Sequence, residues 1–150
     1  MIQIVDANAA HAGVLAALHS RCFENPWNKK AFTDLLNVPG MIALIVQKND
    51  TPAGFILAQC VDGEAEIITI GVSPEFQRMG FASGLINAIL EASPELTKLF
   101  IEVDESNENA RSFYTQVGFF PNGRRKNYYH HDDGTKSDAL MMVLAPPARA

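Results

Sequence analysis

Alternating strand and helix signals predict a mixed α/β (α+β) sheet of six or seven strands, mostly antiparallel, flanked by about four helices. Two observations carry that expectation. Three strand-like runs, Met41 to Gln47, Ala53 to Cys60 and Glu64 to Val72, are parted by the turn-forming stretches Asn49-Asp50-Thr51-Pro52 and Asp62-Gly63, the pattern of an antiparallel meander. A helical stripe, Phe81, Leu85, Ile86, Ile89 and Leu90, then separates the last of these runs from another, Thr97 to Val103. Strand, helix and strand in succession imply one parallel pair.

The elements follow in order. Ile2 to Val5 reads as a short strand. Val14, Leu15, Leu18 and Cys22 fall on one face of a helix, and Asn28 can cap a second helix that turns Phe32, Leu35 and Leu36 inward before Pro39-Gly40 ends it. After the meander, the spacing predicts a long helix that follows Pro74 and closes at Ser93-Pro94. Beyond the Thr97 to Val103 strand, Ala110, Phe113, Tyr114 and Val117 repeat at helical spacing, and Gly118 stands where a left-handed cap belongs. Phe119-Phe120 and Asp138 to Leu144 supply the last two strands, with Tyr128-Tyr129 and the turn Asp132-Asp133-Gly134 between them. No repeat or linker interrupts the 150 residues, so a single domain over 1–150 is expected, with 146–150 as a flexible tail.

Composition removes several classes of function. At 47% hydrophobic and 19% charged residues the chain reads as globular, and its longest apolar run, Met41 to Val46, is far short of the roughly 20 residues a membrane crossing needs. Twelve basic against seventeen acidic residues, a net charge of −5, argue against direct nucleic-acid binding and leave a basic peptide as an acceptable partner. The start of the chain, with Asp6 and His11 and no basic lead before an apolar block, does not read as a secretory signal. A cytoplasmic protein without a membrane partner is the expectation. Cys22 and Cys60 lie far apart among apolar residues and read as small core residues. Adjacent His130 and His131 beside Asp132-Asp133 have poor ligand geometry in a turn, and no metal is expected.

The most informative stretch runs from Ile70 to Ala82, where a strand ends, turns at Pro74 and enters a helix through small residues. Little side chain at Gly80 and Ala82 shields the backbone. An anion can therefore reach the free N–H groups of the first helical turn, where the helix dipole also favours it. Spacing alone is also compatible with a proline-started helix and two small packing residues. The stretch lacks the Gly-Lys-Ser/Thr ending of a nucleotide P-loop and the three glycines of a dinucleotide site, so ATP hydrolysis and hydride transfer lose support.

Taken as a pattern, Val72-x-Pro74-x-x-Gln77-x-x-Gly80-x-Ala82 resembles the acyl-CoA signature of the GCN5-related N-acetyltransferase (GNAT) superfamily. A second block, Ile101 to Asn107 followed by Ala110-x-x-Phe113-Tyr114-x-x-x-Gly118-Phe119, resembles that family's next strand and helix. Pro26-Trp27, Arg125-x-x-Tyr128-Tyr129 and the terminal Asp138-Ala-Leu-Met-Met narrow the resemblance to the RimI-type ribosomal-protein alanine N-acetyltransferases, over nearly the whole chain. The resemblance implies a GNAT fold whose central parallel strands splay, with acetyl-CoA as co-substrate. The backbone of Ile70, Gly71 and Val72 would pair with the pantetheine arm, which Asn107 also touches. Gln77, Arg78, Met79, Gly80, Phe81 and Ala82 would surround the pyrophosphate. Ala82 in place of a second glycine, and Ser83 in place of the basic residue often found next, imply a looser hold on the phosphates.

The same resemblance implies Glu102 as general base and Tyr114 as the acid beside the thioester sulfur. By position alone, Glu102 is a strand carboxylate facing water or a partner, and Tyr114 packs on the face of Ala110 and Phe113. Asn107 also reads as a helix N-cap. Glu66 is an alternative base on the neighbouring strand, and otherwise an exposed carboxylate. Trp27, Tyr128 and Tyr129 are implied walls of the acceptor site, with plain packing as the alternative. The implied activity is direct acetyl transfer to a primary amine, foremost the N-terminal alanine of a small-subunit ribosomal protein, by a monomer or weak homodimer. The alternatives are an acetyltransferase for small amines such as polyamines or aminoglycosides, and a non-catalytic acyl-CoA module.

Overall fold

Two tight turns shape the meander. In the computed structural model, which describes residues 1–146, Asn49 and Asp50 have φ of 50° and 67°, and Asp62 and Gly63 have 51° and 80°. Positive φ at both central residues matches the natural twist of paired strands. After β1 (Ile2–Asp6), these turns join β2 (Met41–Lys48) to β3 (Thr51–Val61) and β3 to β4 (Glu64–Val72). The first turn is shorter than the sequence predicts. Thr51 and Pro52 enter β3, and Pro52 sits opposite Gln47 beside a bulge, where a missing N–H disturbs the ladder least.

With β5 (Lys98–Asp104), β6 (Phe120–His130) and β7 (Lys136–Leu144), the strands form one seven-stranded sheet in the order β1-β2-β3-β4-β5-β7-β6. The pairs β1–β2, β2–β3, β5–β7 and β6–β7 are antiparallel. The expected parallel pair is β4–β5, in the register Glu64↔Lys98, Ala65↔Leu99 and Glu66↔Phe100. The chain divides into two compact units, Met1–Asp62 with Ile67–Pro94, and Gly63–Glu66 with the chain from Glu95 onward.

In the first unit, α1 (Ala12–Cys22) and α2 (Lys29–Leu36) bury Leu15, Leu18 and Phe32 in a cluster with Ala43 and Ile45 of β2 and Phe55 and Leu57 of β3. Asn28 caps α2 as expected, its Oδ1 accepting from the Ala31 N–H at 2.9 Å. The alternate residues Leu44, Val46 and Ile56 are buried too, and α3 (Phe81–Ala92) packs on the same two strands with Leu85, Ile86 and Ile89 inward. That is the double-sided burial expected of central strands.

α2 ends at Leu36, before the Pro39-Gly40 pair that the sequence marks as its stop. Gly40 has another task. It turns at φ 83°, and a Cβ there would overlap the Cys60 carbonyl oxygen, whose own N–H donates to the Gly40 carbonyl at 2.8 Å. Gly40→Ala therefore combines a left-handed backbone with a clash against main chain. We expect a loss of about 3 kcal/mol, or roughly 10 °C in Tm, measured by thermal unfolding.

The helix expected directly after Pro74 is divided in two. Pro74–Phe76 makes a single 3-10 turn, and α3 begins only at Phe81. Arg78 and Gly80 between them have φ of 65° and 80°, which no α-helix contains.

In the second unit, β5 alternates cleanly: Leu99, Ile101 and Val103 are buried, while Phe100, Glu102 and Asp104 lie half-buried on the other face. α4 (Glu108–Val117) follows, capped by Asn107 and closed by Gly118 in the left-handed conformation. β6 is far longer than the Phe119-Phe120 strand expected, and it contains Tyr128 and Tyr129. Apart from Phe120, Pro121 and the two tyrosines its residues are polar or glycine, and the strand is almost wholly exposed, so it carries no period-two apolar signal. As an edge strand it needs none. The expected tail falls, after Pro146, outside the described residues. Among the described residues no helix is long and apolar enough to cross a membrane.

Candidate active site

The first unit contains the stretch that the sequence marks as an anion cradle. β4 delivers Ile70, Gly71 and Val72 to its end, and Gly71 is glycine for want of room: a Cβ would come within 3.0 Å of Cys22 Sγ and 3.1 Å of the Phe55 ring. Ser73 then bonds through its N–H to the Ala53 carbonyl at 2.8 Å, fixing where the strand stops. Beyond the 3-10 turn, Gln77 reaches back, and its Nε2 donates to the Val72 carbonyl at 3.1 Å. Glu75 in that turn meets Arg21 of α1 at 2.5 Å. Both groups are about half exposed, so the pair adds little stability.

Gln77, Arg78, Met79 and Gly80 form the exposed entry to α3. Gly80 is the N-cap, no side chain caps it, and the space where its Cβ would stand is open. The N–H groups of Phe81 and Ala82 in the first turn of α3 thus lack intrahelical acceptors. An open, uncapped helix start with positive dipole suits a diphosphate. The residues fit the group the sequence implies.

Gln77→Ala should raise the KM for acetyl-CoA about fivefold, the worth of one net hydrogen bond, because it frees the Val72 end of the strand. Tm should stay within about 1 °C, since the side chain is exposed. Initial rates at varied acetyl-CoA measure the first effect.

Trp27, also in the first unit, lies between α1 and α2, where its backbone N–H donates to Nδ1 of His19 at 3.1 Å.

The second unit carries Glu102, Tyr114, Tyr128 and Tyr129. Glu102 stands half-buried on β5, and its Oε2 accepts from the Tyr129 hydroxyl at 3.2 Å. Burial and the neighbouring Glu102 carboxylate together push the Tyr129 phenol well above its ordinary value, so it stays a neutral donor. Tyr128 meets Tyr129 edge-on at 5.1 Å and carries the Arg125 guanidinium 5.3 Å above its ring. An irregularity in β6 between Arg125 and Tyr129, with Asn127 at φ 53° and its N–H on Asp138 Oδ1 at 2.8 Å, aims the two tyrosines. Glu66 lies opposite Phe100 on the face that Glu102 shares, but is exposed.

Tyr114 is 6% exposed, edge-on to Phe113 and Phe119, and burial raises its phenol far above the usual range. Gly118 and Phe119 donate to the Tyr114 carbonyl at 3.2 and 2.9 Å, so the helix end is closed around that residue. Asn107 accepts from the Ala110 N–H at 3.1 Å, the cap reading, and its amide donors remain for a ligand.

Sequence reasoning missed a polar group beside this one. Asp104, two residues beyond Glu102 on the same face, accepts from Ser137 Oγ at 2.6 Å and from Ser106 Oγ at 2.8 Å. Burial pushes its carboxyl up, but hydrogen bonds from Ser137 and Ser106 outweigh that and hold it below the usual range. Arg124 joins Glu105 and Asp138, each at 2.7 Å. Period-two spacing from Glu102 was the one available signal. His131 bonds Ser137 Oγ at 2.7 Å, and among the described residues no three His, Cys, Asp or Glu side chains gather to hold a metal.

An uncapped helix start after a strand is the anion-binding arrangement that an acyl-CoA-dependent transferase needs. Residues 14–119 match the Acetyltransferase (GNAT) family, and the chain belongs to it. Its sheet, with one parallel pair and four flanking helices among the described residues, is the GNAT fold, and it is an N-acetyltransferase that draws on acetyl-CoA.

The [ribosomal protein bS18]-alanine N-acetyltransferase of Haemophilus ducreyi is 33% identical over 123 residues, 79% of this chain and 83% of that one. The enzyme of the same name in Escherichia coli strain K12 is 32% identical over 133 residues, 86% and 88% of the two chains. Among solved structures, the ribosomal-protein-S18-alanine N-acetyltransferase from Escherichia coli matches with a TM-score of 0.88 at 27% identity, covering 97% of this chain and 94% of that one.

Proposed function

We propose that this enzyme acetylates the N-terminal α-amine of a protein, alanine foremost, with a small-subunit ribosomal protein as its natural acceptor in the cytoplasm. The observation that carries the reading is Glu102, a carboxylate half-buried on the face of β5 opposite Leu99, Ile101 and Val103 and held by the Tyr129 hydroxyl at 3.2 Å. Similarity to two bS18-alanine N-acetyltransferases supports the choice of acceptor.

Acetyl-CoA supplies an activated acyl carbon on a thiol leaving group. The amides that open α3 bind its diphosphate, and the backbone of Ile70 to Val72 pairs with its arm. The Val72 N–H donates to the oxyanion that forms when the amine adds to the acyl carbon. Glu102 takes the proton of the attacking nitrogen through water, and Tyr114 donates to the sulfur as the carbon–sulfur bond breaks. Trp27, and Tyr128 with Tyr129, are the candidate contacts for the acceptor. Holding both reactants in one orientation supplies much of the acceleration.

An α-amine has a reference pKa near 8 and a lysine ammonium near 10.4, so the former is about two units easier to deprotonate, and a water-linked carboxylate suffices. The chain's net charge of −5 suits a basic peptide. Incubation with acetyl-CoA and an alanine-starting basic peptide should give a product heavier by one acetyl group, placed on the α-amine by tandem mass spectrometry. Turnover of spermidine with none of the peptide would overturn the reading.

A further inference from the structure

One buried titratable side chain stands outside this mechanism. His19 lies in the last turn of α1, 3% exposed, beside the inward residues Leu15 and Leu18. Its imidazole stacks on Phe23 (centroids 4.2 Å apart, planes at 26°) and on Trp27 (4.8 Å, 18°). Because Nδ1 accepts the Trp27 N–H, it carries no proton there, and the ring is the neutral tautomer with its hydrogen on Nε2. The loop over residues 23–28 is thus tied to α1 at Trp27 by both main chain and ring. Trp27 itself remains 37% exposed.

We infer that His19 is a positioning residue for the acceptor loop: its neutral imidazole holds Trp27 where the peptide N-terminus is received, and its protonation releases that hold. The inference rests on the peptide reading for the acceptor and on the His19–Trp27 contact for the hold.

The side chains facing the imidazole are Phe23 at the end of α1, Trp27 from the loop, Phe32 from α2 and Phe55 from β3, and none of them titrates. Arg21, the nearby cation on α1, is turned to Glu75. Stacked rings attract an imidazolium. A protonated Nδ1, however, meets the Trp27 N–H donor against donor, and burial lowers the pKa of the ring. With a lowered folded value, the hold is complete above the unfolded value near 6.5 and is lost as pH falls through the lower, folded one.

Trp27 is the only tryptophan in the chain, so its fluorescence reads the contact directly. In the full-length protein that emission should titrate below about pH 6.5, and the titration should vanish in His19→Phe and His19→Asn. His19→Phe keeps a ring and loses the acceptor. At neutral pH it should raise the KM of an alanine-starting peptide about fivefold, with the KM for acetyl-CoA within about twofold of wild type. His19→Asn places an oxygen where Nδ1 stood and cannot titrate. It should restore the peptide KM and remove the rise that wild type shows as pH falls.

An unchanged KM for acetyl-CoA certifies that a variant is folded. If His19→Phe does not fold, wild type against His19→Asn makes the same comparison. Emission that does not titrate in wild type, or that still titrates in the variants, overturns the hold on Trp27. Titration with the peptide KM unmoved in every variant overturns the acceptor role. Titration with no turnover of any peptide removes the peptide reading, and with it the acceptor half of the inference, while the hold stands.

Discussion

Tyr114→Phe lowers kcat by about a hundred- to a thousandfold while the Kd for acetyl-CoA stays within about twofold, the expected signature of a lost acid. The fold tolerates the change, because phenylalanine fills the same slot edge-on to Phe113 and Phe119, and the carbonyl that Gly118 and Phe119 use is main chain. What disappears is one O–H. Burial keeps that phenol neutral across the working pH range, so it is always a donor. A phenol with so high a pKa gives up its proton only to a strong base, and a thiolate leaving where water is excluded would be such a base. In the proposed mechanism Tyr114 thus stabilises the sulfur as charge develops on it. Rapid-quench single turnover with calorimetric titration of acetyl-CoA separates the two effects. A variant that keeps its single-turnover rate would take Tyr114 out of the reaction.

Where local chemistry dictates local structure, the chain could be read in advance. Asn49-Asp50 and Asp62-Gly63 turn because small polar residues and glycine accept positive φ, and Asn28 and Asn107 cap helices because their amide oxygens reach the third N–H onward. Misreadings arise where distant groups decide. β6 lacks an apolar period, and is pinned by Arg124 and the Asn127 N–H to Asp138, a residue in the following strand. The interruption between Pro74 and Phe81 depends on Arg78 taking a conformation that arginine seldom takes, steadied by Gln77 on the Val72 carbonyl. His19 was marked by position, four residues after Leu15 and three before Cys22, yet its residue type hid it from an apolar count. Glu102 was placed on its strand by sequence. Its partner Tyr129 was not, since the two are 27 residues apart.

That partnership favours Glu102 over Glu66 as the proposed base. Glu102→Gln keeps the size of the side chain and an oxygen for the Tyr129 hydroxyl, and removes only the charge that accepts a proton. We expect kcat/KM for the peptide to fall about a hundredfold at neutral pH. Glu66→Gln, on an exposed residue of β4, should stay within about threefold. The pH dependence makes the test specific. The acceptor amine loses its own proton near pH 8, so above that value less of the barrier needs a base, and the Glu102→Gln deficit should shrink about tenfold between neutral pH and pH 9. A variant damaged only in structure would show the same deficit at every pH. Tyr129→Phe leaves the charge and removes its anchor, and should fall between the two glutamate variants. If Glu66→Gln instead carries the large, pH-dependent loss and Glu102→Gln is mild, the base belongs to β4, and the carboxylate on β5 serves to bind the acceptor.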